Sequence, residues 1–329
     1  MSKKILVTGS SVSKVYLDKL SDAGFEVWNP THHIAEEDEL IEAFQGVSGY
    51  LCGGDEYASE RVLSSAKELE FISFLGVGYS KFIDAAAATE LGIPISNTPG
   101  TLDTSVAELT IALMLDLQRK ITYLNNQSKK GVMIHDKVYD LEGLTAGIIG
   151  LGSIGRVVAR KLVAGFDMNV IHHSRTNKPE IEAELGIKKV PLNELLTQSD
   201  VLIILVPQTE ETIGMLGAQE LALMKPTAYL VNISSSNVVD GHALYQALES
   251  EQISAAAFDS YYTPVIDPAN DEFKLLSLPD NKFIITPHIG SLTHNARDRM
   301  SEKAVNSIIS FLTTGDDKYI VNRAGIKAL

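Results

Sequence analysis

Residues 144–166 read LTAGIIGLGSIGRVVARKLVAGF. A short apolar, strand-like run ends at Gly150, and a stretch with helical spacing of apolar residues begins just after Gly155. Between them stands Gly150-Leu151-Gly152-Ser153-Ile154-Gly155, a G-x-G-x-x-G pattern. Alone, three glycines recur by chance, but a strand before and a helix after are the context this motif needs. The glycines allow a tight turn, the approach of a pyrophosphate to the backbone and close packing of helix on strand, while the helix N-terminus offers free N–H groups to phosphate. The stretch therefore reads as the phosphate-binding turn of a Rossmann domain that takes a nicotinamide dinucleotide. Val7-Thr8-Gly9-Ser10-Ser11 lacks the second and third glycines and reads as a simple turn.

Outward from this turn, apolar runs at 146–149, 169–172, 201–206, 228–232, 255–259 and 283–286 predict six strands separated by helices, a doubly wound unit. Upstream, runs at 5–7, 26–28, 49–52, 71–75 and 94–96 alternate with helical stretches at 13–23 and 37–44, predicting a second parallel α/β unit. Between the two series, residues 104–127 follow Thr98-Pro99-Gly100 and predict one long connecting helix. An amphipathic helix near 295–313 closes the chain.

At 329 residues, two domains are the natural expectation, and 45% hydrophobic with 21% charged residues excludes a disordered chain. No apolar run reaches membrane-span length, and MSKKILVTGSS passes directly into a strand-like run, so neither a span nor a signal peptide is expected and the cytoplasm is favoured. A net charge of −14 opposes nucleic acid and anionic membranes as partners but leaves room for a small-molecule substrate. The single cysteine, Cys52, has no metal-ligand spacing around it and reads as a small buried residue, and no metal is expected.

The residues after the second strand choose the cofactor. An acid there would grip the ribose 2′-hydroxyl of NAD. This chain reads VIHHSRTNK, which places Ser174 at or next to that position, followed by Arg175 and Thr176. A neutral hydrogen-bonding residue with a guanidinium suits a 2′-phosphate, so NADP is favoured, with NAD as the alternative. Arg175 could instead stack over adenine whichever cofactor binds. His172 and His173 are neighbours in a strand and face opposite sides, which reads as packing rather than metal ligation.

In order along the chain stand NTPG (97–100), SVAELTIALML (105–115), GIIGLGSIG (147–155), LVPQTEET (205–212), VNIS (231–234), VVDGHAL (238–244), AFD (257–259) and TPHIGS (286–291). This series resembles the D-isomer-specific 2-hydroxyacid dehydrogenase family over nearly the whole chain, and HSRT resembles its NADPH-preferring hydroxypyruvate and hydroxyphenylpyruvate reductase branch. The resemblance implies two Rossmann-like α/β domains with doubly wound parallel sheets. The cofactor domain, 100–292, is inserted into a discontinuous catalytic domain, 1–99 with 293–329, with the active site in the cleft between and a homodimer as the assembly. It further implies that Thr104, Val206, Pro207, Thr212, Ile233, Ser234, Asp259 and Gly290 serve the cofactor with Gly150, Gly152, Ser153, Ile154 and Gly155. Val77 and Gly78 would offer backbone N–H groups to a substrate carboxylate.

Family chemistry uses a histidine to protonate the carbonyl oxygen as hydride arrives, a carboxylate that keeps it protonated, and an arginine that binds the substrate carboxylate. The histidine is His288. Where the family has N-x-x-R-G, this chain has Asn232-Ile233-Ser234-Ser235-Ser236, with Ser235 at the arginine position. Loss of such a group typically costs on the order of a hundredfold to a thousandfold in rate. The family's Glu-Pro is absent at Thr263-Pro264; counted back from Leu275-Leu276, Asp267-Pro268 takes its place if about three residues are inserted upstream. Asp267 is then the expected partner of His288. Tyr261 and Tyr262 fit either a pocket wall or plain packing.

Three readings follow. The first is an NADPH-dependent reductase of a carbonyl compound whose recognition does without the arginine. The second is an ordinary 2-oxoacid reductase with a relocated cation. The third is a non-catalytic NADP(H)-binding sensor or partner protein, which the intact TPHIGS places behind the other two.

Overall fold

The computed structural model describes residues 2–9, 12–34, 36–263 and 265–326, so Ser10 and Ser11 of the first turn and Pro264 lie outside the described residues. The chain divides into two compact units: residues up to Leu102 with those from Leu292 onward, and Asp103–Ser291.

In the first unit, strands form at Lys4–Val7 (β1), Glu26–Trp28 (β2), Val47–Cys52 (β3), Phe71–Phe74 (β4) and Ile95–Ser96 (β5), all parallel, in the order β2-β1-β3-β4-β5. Every residue of β3, β4 and β5 is buried. Strands covered on both faces read as continuous apolar runs rather than alternation, which made them visible in the sequence. Helices Lys14–Asp22, Glu37–Ala43, Glu60–Ser65 and Ala85–Glu90 connect them. From Leu292 the chain rejoins this unit, and helix His294–Thr314 packs on β3 and β4 with Phe311 stacked on Phe71, ring centroids 4.4 Å apart. Cys52 is fully buried, and burial pushes its thiol pKa up, so it is inert packing.

The second unit has strands Thr145–Ile149 (β6), Asn169–His173 (β7), Lys188–Lys189 (β8), Val201–Ile204 (β9), Tyr229–Asn232 (β10), Ala255–Phe258 (β11) and Phe283–Ile285 (β12). They form one parallel sheet in the order β12-β11-β10-β9-β6-β7-β8. β6 is flanked by β7 and β9, so the chain winds away from β6 in both directions and leaves a crevice beyond the carboxyl ends of β6 and β9. Leu202 and Ile204 enter one buried cluster while Val201 and Ile203 enter another, as the period of two requires for a strand covered on both faces.

Two features depart from the sequence reading. The sheet has seven strands, not six: β8 is a pair of lysines at the sheet edge, registered on Ile171 and His172, with no apolar run to announce it. The helix expected over 104–127 is two helices, Asp103–Arg119 and Ile121–Lys129. Lys120 between them adopts φ 52°, in the left-handed region, and the Asp116 carboxylate accepts from the Thr122 N–H at 2.7 Å and from the Thr122 hydroxyl. The side chain thereby caps the second helix. The apolar period runs straight through this break, so periodicity could not reveal it. Among the described residues no helix is long and apolar enough to cross a membrane.

Candidate active site

The carboxyl ends of β6, β7, β9, β10, β11 and β12 bring most of the expected site residues to one edge of the second unit. After β6, Gly150 has φ +100°, and a Cβ there would stand 2.5 Å from the Leu205 carbonyl oxygen and 2.9 Å from Val206 Cγ1. A Cβ on Gly155 would stand 2.2 Å from the Gly150 carbonyl oxygen, so this glycine lets the helix seat against the strand. Gly152 differs, since a Cβ there meets nothing within 4 Å. It is the N-cap of helix Ser153–Phe166 and offers no capping side chain, so the N–H groups of Ser153, Ile154 and Gly155 have no acceptor within the helix. Donors facing open space at a helix N-terminus fit a dinucleotide pyrophosphate.

At the end of β7, Ser174 Oγ donates to the Thr176 carbonyl at 3.0 Å and lies 3.2 Å from His172 Nδ1, which shapes the Ser174-Arg175-Thr176 turn. The Arg175 side chain is 80% exposed and, among the described residues, its one polar partner is Glu211, at 3.5 Å, itself 74% exposed. In water such a pair contributes little, so the guanidinium is available to a ligand. His172 is fully buried, and burial lowers its pKa, while His173 Nδ1 lies 3.1 Å from the Val190 carbonyl. Both are packing residues. Among the described residues no group of three His, Cys, Asp or Glu could hold a metal ion.

After β9, Thr212 Oγ1 donates to the Pro207 carbonyl at 2.7 Å and accepts from the Thr209 N–H at 2.8 Å, closing the turn that carries Val206 and Pro207. After β10, the buried Asn232 accepts from Ser234 N–H and Oγ, each at 2.9 Å, and donates to the Ser235 carbonyl at 3.1 Å. This fixes Ile233, Ser234 and Ser235. Ser235 Oγ donates to Gln208 Oε1, a partner with no signal in the sequence beyond its place beside a strand end.

Asp259, after β11, is 3% exposed. Its carboxylate accepts from Thr286 Oγ1 at 2.6 Å and from the N–H groups of Ile289 and Gly290, each at 2.8 Å. His288, immediately before those two amides, holds φ 56° and is exposed. For a residue with a Cβ this is a strained backbone, kept because the surrounding turn is over-determined. A Cβ on Gly290 would stand 2.9 Å from Asp259 Oδ2, so Gly290 permits the clamp. Asp259→Asn would set an amide N–H₂ against a donor. It is expected to cost about 2 kcal/mol, or about 4–8 °C in the melting midpoint of this unit, checked by calorimetry.

Asp267 makes no ion pair with His288. Its carboxylate caps the short turn at Pro268–Asn270, accepting from the Ala269 N–H at 2.9 Å and from Asn270 Nδ2 at 2.5 Å, bonds that lower its pKa. Among the described residues no carboxylate pairs with His288. Tyr262 donates to the Val239 carbonyl at 2.9 Å and packs on Phe273, and Tyr261 bonds Asp271. Burial raises both phenol pKa values, with Asp271 adding to it at Tyr261, so these tyrosines are packing. Thr104 is exposed in the first turn of helix Asp103–Arg119. Val77 and Gly78 lie after β4 in the other unit, where a Cβ on Gly78 meets nothing within 4 Å.

Residues 111–290 match the family model described as "D-isomer specific 2-hydroxyacid dehydrogenase, NAD binding domain". A glyoxylate reductase of Thermococcus onnurineus is 38% identical over 307 residues, 91% of this chain and 89% of that protein. The crystal structure of a glyoxylate reductase from Paecilomyes thermophila superposes with a TM-score of 0.85 at 28% identity, covering 98% of this chain and 99% of that one. An NADPH-dependent glyoxylate/hydroxypyruvate reductase from Sinorhizobium meliloti, in complex with NADP and malonate, gives a TM-score of 0.83 at 27% identity, with 99% and 98% covered. With the family model matched over 111–290 and a relative 38% identical along 91% of the chain, the chain belongs to the D-isomer-specific 2-hydroxyacid dehydrogenase family, whose oxidoreductases use a nicotinamide cofactor on CH–OH groups.

Proposed function

We propose that this protein is an NADPH-dependent reductase of a 2-oxoacid or a closely related carbonyl compound, with His288 as proton donor. The observation that carries the reading is the Asp259 clamp, a buried carboxylate that fixes the turn of an exposed histidine on the same carboxyl edge of the sheet as the glycine turn. When bound, the nicotinamide supplies the hydride. Ser153, Ile154 and Gly155 hold the pyrophosphate through their N–H groups. Imidazole is the side chain that most readily gives up a proton near neutral pH, and His288 delivers it to the carbonyl oxygen. Asp259 positions that imidazole through the two amides that follow it.

NADP is favoured over NAD because Ser174 brings no negative charge and the exposed Arg175 matches a 2′-phosphate. Arg175→Ala is expected to raise the KM for NADPH about tenfold to a hundredfold while moving that for NADH less than about twofold. Equal losses with both cofactors would instead assign Arg175 to stacking on adenine. Steady-state kinetics with each cofactor decides between them.

A further inference from the structure

The edge that carries His288 holds a pair of polar side chains that the reduction itself does not use. Ser235 Oγ, after β10, donates to Gln208 Oε1, after β9. Having given its proton, the hydroxyl keeps lone pairs to accept with, and the Gln208 amide nitrogen makes no hydrogen bond among the described residues. The pair therefore presents both donors and acceptors to a ligand: the two Gln208 N–H groups, and the free lone pairs of the two oxygens. Turning the Gln208 amide over exchanges the roles of the two side chains and still leaves donors and acceptors free.

The pair is tied to the catalytic turn. Ser236 Oγ donates to the Ser260 carbonyl at 2.8 Å, joining the Ser235 turn to the residue after Asp259, and Asp259 holds Ile289 and Gly290. No lysine or arginine stands in 206–208, 233–237, 259–263 or 286–291, the strand-end segments of the second unit that carry this pair, Asp259 and His288. A carboxylate accepts hydrogen bonds and donates none, so here it would leave the free acceptors of the pair unused and, in these segments, would have no cation to offset the loss of its hydration. An amide offers an oxygen to the donor and an N–H to the acceptor, and carries no charge to desolvate.

We propose that the second unit selects a 2-oxo amide over the matching 2-oxo acid, with the Gln208 and Ser235 pair reading the amide group next to the reacting carbonyl. This deepens the reductase reading and rests on it. The keto carbon gains a hydride from NADPH and its oxygen gains the His288 proton. The products are a 2-hydroxy amide and NADP⁺, and the C–N bond stays intact.

The test compares pyruvamide with pyruvate and phenylpyruvamide with phenylpyruvate, pairs alike in shape and different in charge, by NADPH oxidation. The wild-type protein is expected to show kcat/KM at least tenfold higher for the amide in at least one pair. Gln208→Ala, at an exposed position, should lower the amide's kcat/KM about tenfold and leave the acid's within a factor of two. Ser235→Arg should invert the preference. A wild-type ratio below tenfold in both pairs, or equal losses for acid and amide in Gln208→Ala, overturns this proposal and leaves the reductase reading standing. Turnover of none of the four compounds overturns both.

Discussion

Gly155→Ala is expected to weaken NADPH binding about a hundredfold. The added Cβ would stand 2.2 Å from the Gly150 carbonyl oxygen, a backbone atom that no side-chain rotation can move. Relief requires helix Ser153–Phe166 to lift from β6, which carries the N–H groups of its first turn away from the pyrophosphate. Each charge-assisted hydrogen bond to an anion contributes about 1.5–3 kcal/mol, so losing two at the lower end of that range gives roughly the factor stated. Overpacking should also destabilise the unit by about 1–3 kcal/mol. Gly165→Ala in the same helix supplies the contrast: a Cβ there meets nothing within 4 Å, so it should bind NADPH normally and gain about 0.5–1 kcal/mol of stability. Fluorescence titration of NADPH and thermal melts separate the two. Unchanged affinity in Gly155→Ala would mean that the turn is not the phosphate site.

His288→Asn is expected to lower kcat about a hundredfold to ten-thousandfold while changing the Kd for NADPH by less than about threefold. Asparagine suits this position because it enters the left-handed region more easily than most residues, so the φ of 56° is kept and only the imidazole is removed. The Asp259 bonds come from the backbone of Ile289 and Gly290, so the turn should survive the change. Undiminished turnover in His288→Asn would sink the assignment of the proton donor. Tight NADPH binding by a wild-type protein that reduces no carbonyl compound would favour a dinucleotide-binding sensor instead.

Most of the fold was legible because the strands that matter are buried on both faces and are written as apolar runs. β8 was not, since two edge lysines carry no hydrophobic signal. The break at Lys120 was hidden for a related reason: it depends on one side chain, Asp116, reaching Thr122, while the apolar period continues unbroken. At the site, the glycine turn, Ser174-Arg175 and His288 were readable as motifs. Asp267 marks the reach of motif reading, because counting residues through an insertion gives a position in the chain and not a direction in space. Its carboxylate turns back on Ala269 and Asn270.

The sequence by itself determined the two parallel α/β units, the strand–glycine turn–helix at 145–166 and the family, because hydrophobic period and glycine spacing are local and survive without coordinates. Tertiary structure decided what each polar group does. Asp259 becomes a clamp only because β11 and β12 lie side by side and bring Ile289 and Gly290 onto its carboxylate. Ser235 meets Gln208 only because β9 and β10 end together. Hydrogen bonds need distance and direction, and those between residues 27 or 31 positions apart are set by strand order, which no local pattern encodes.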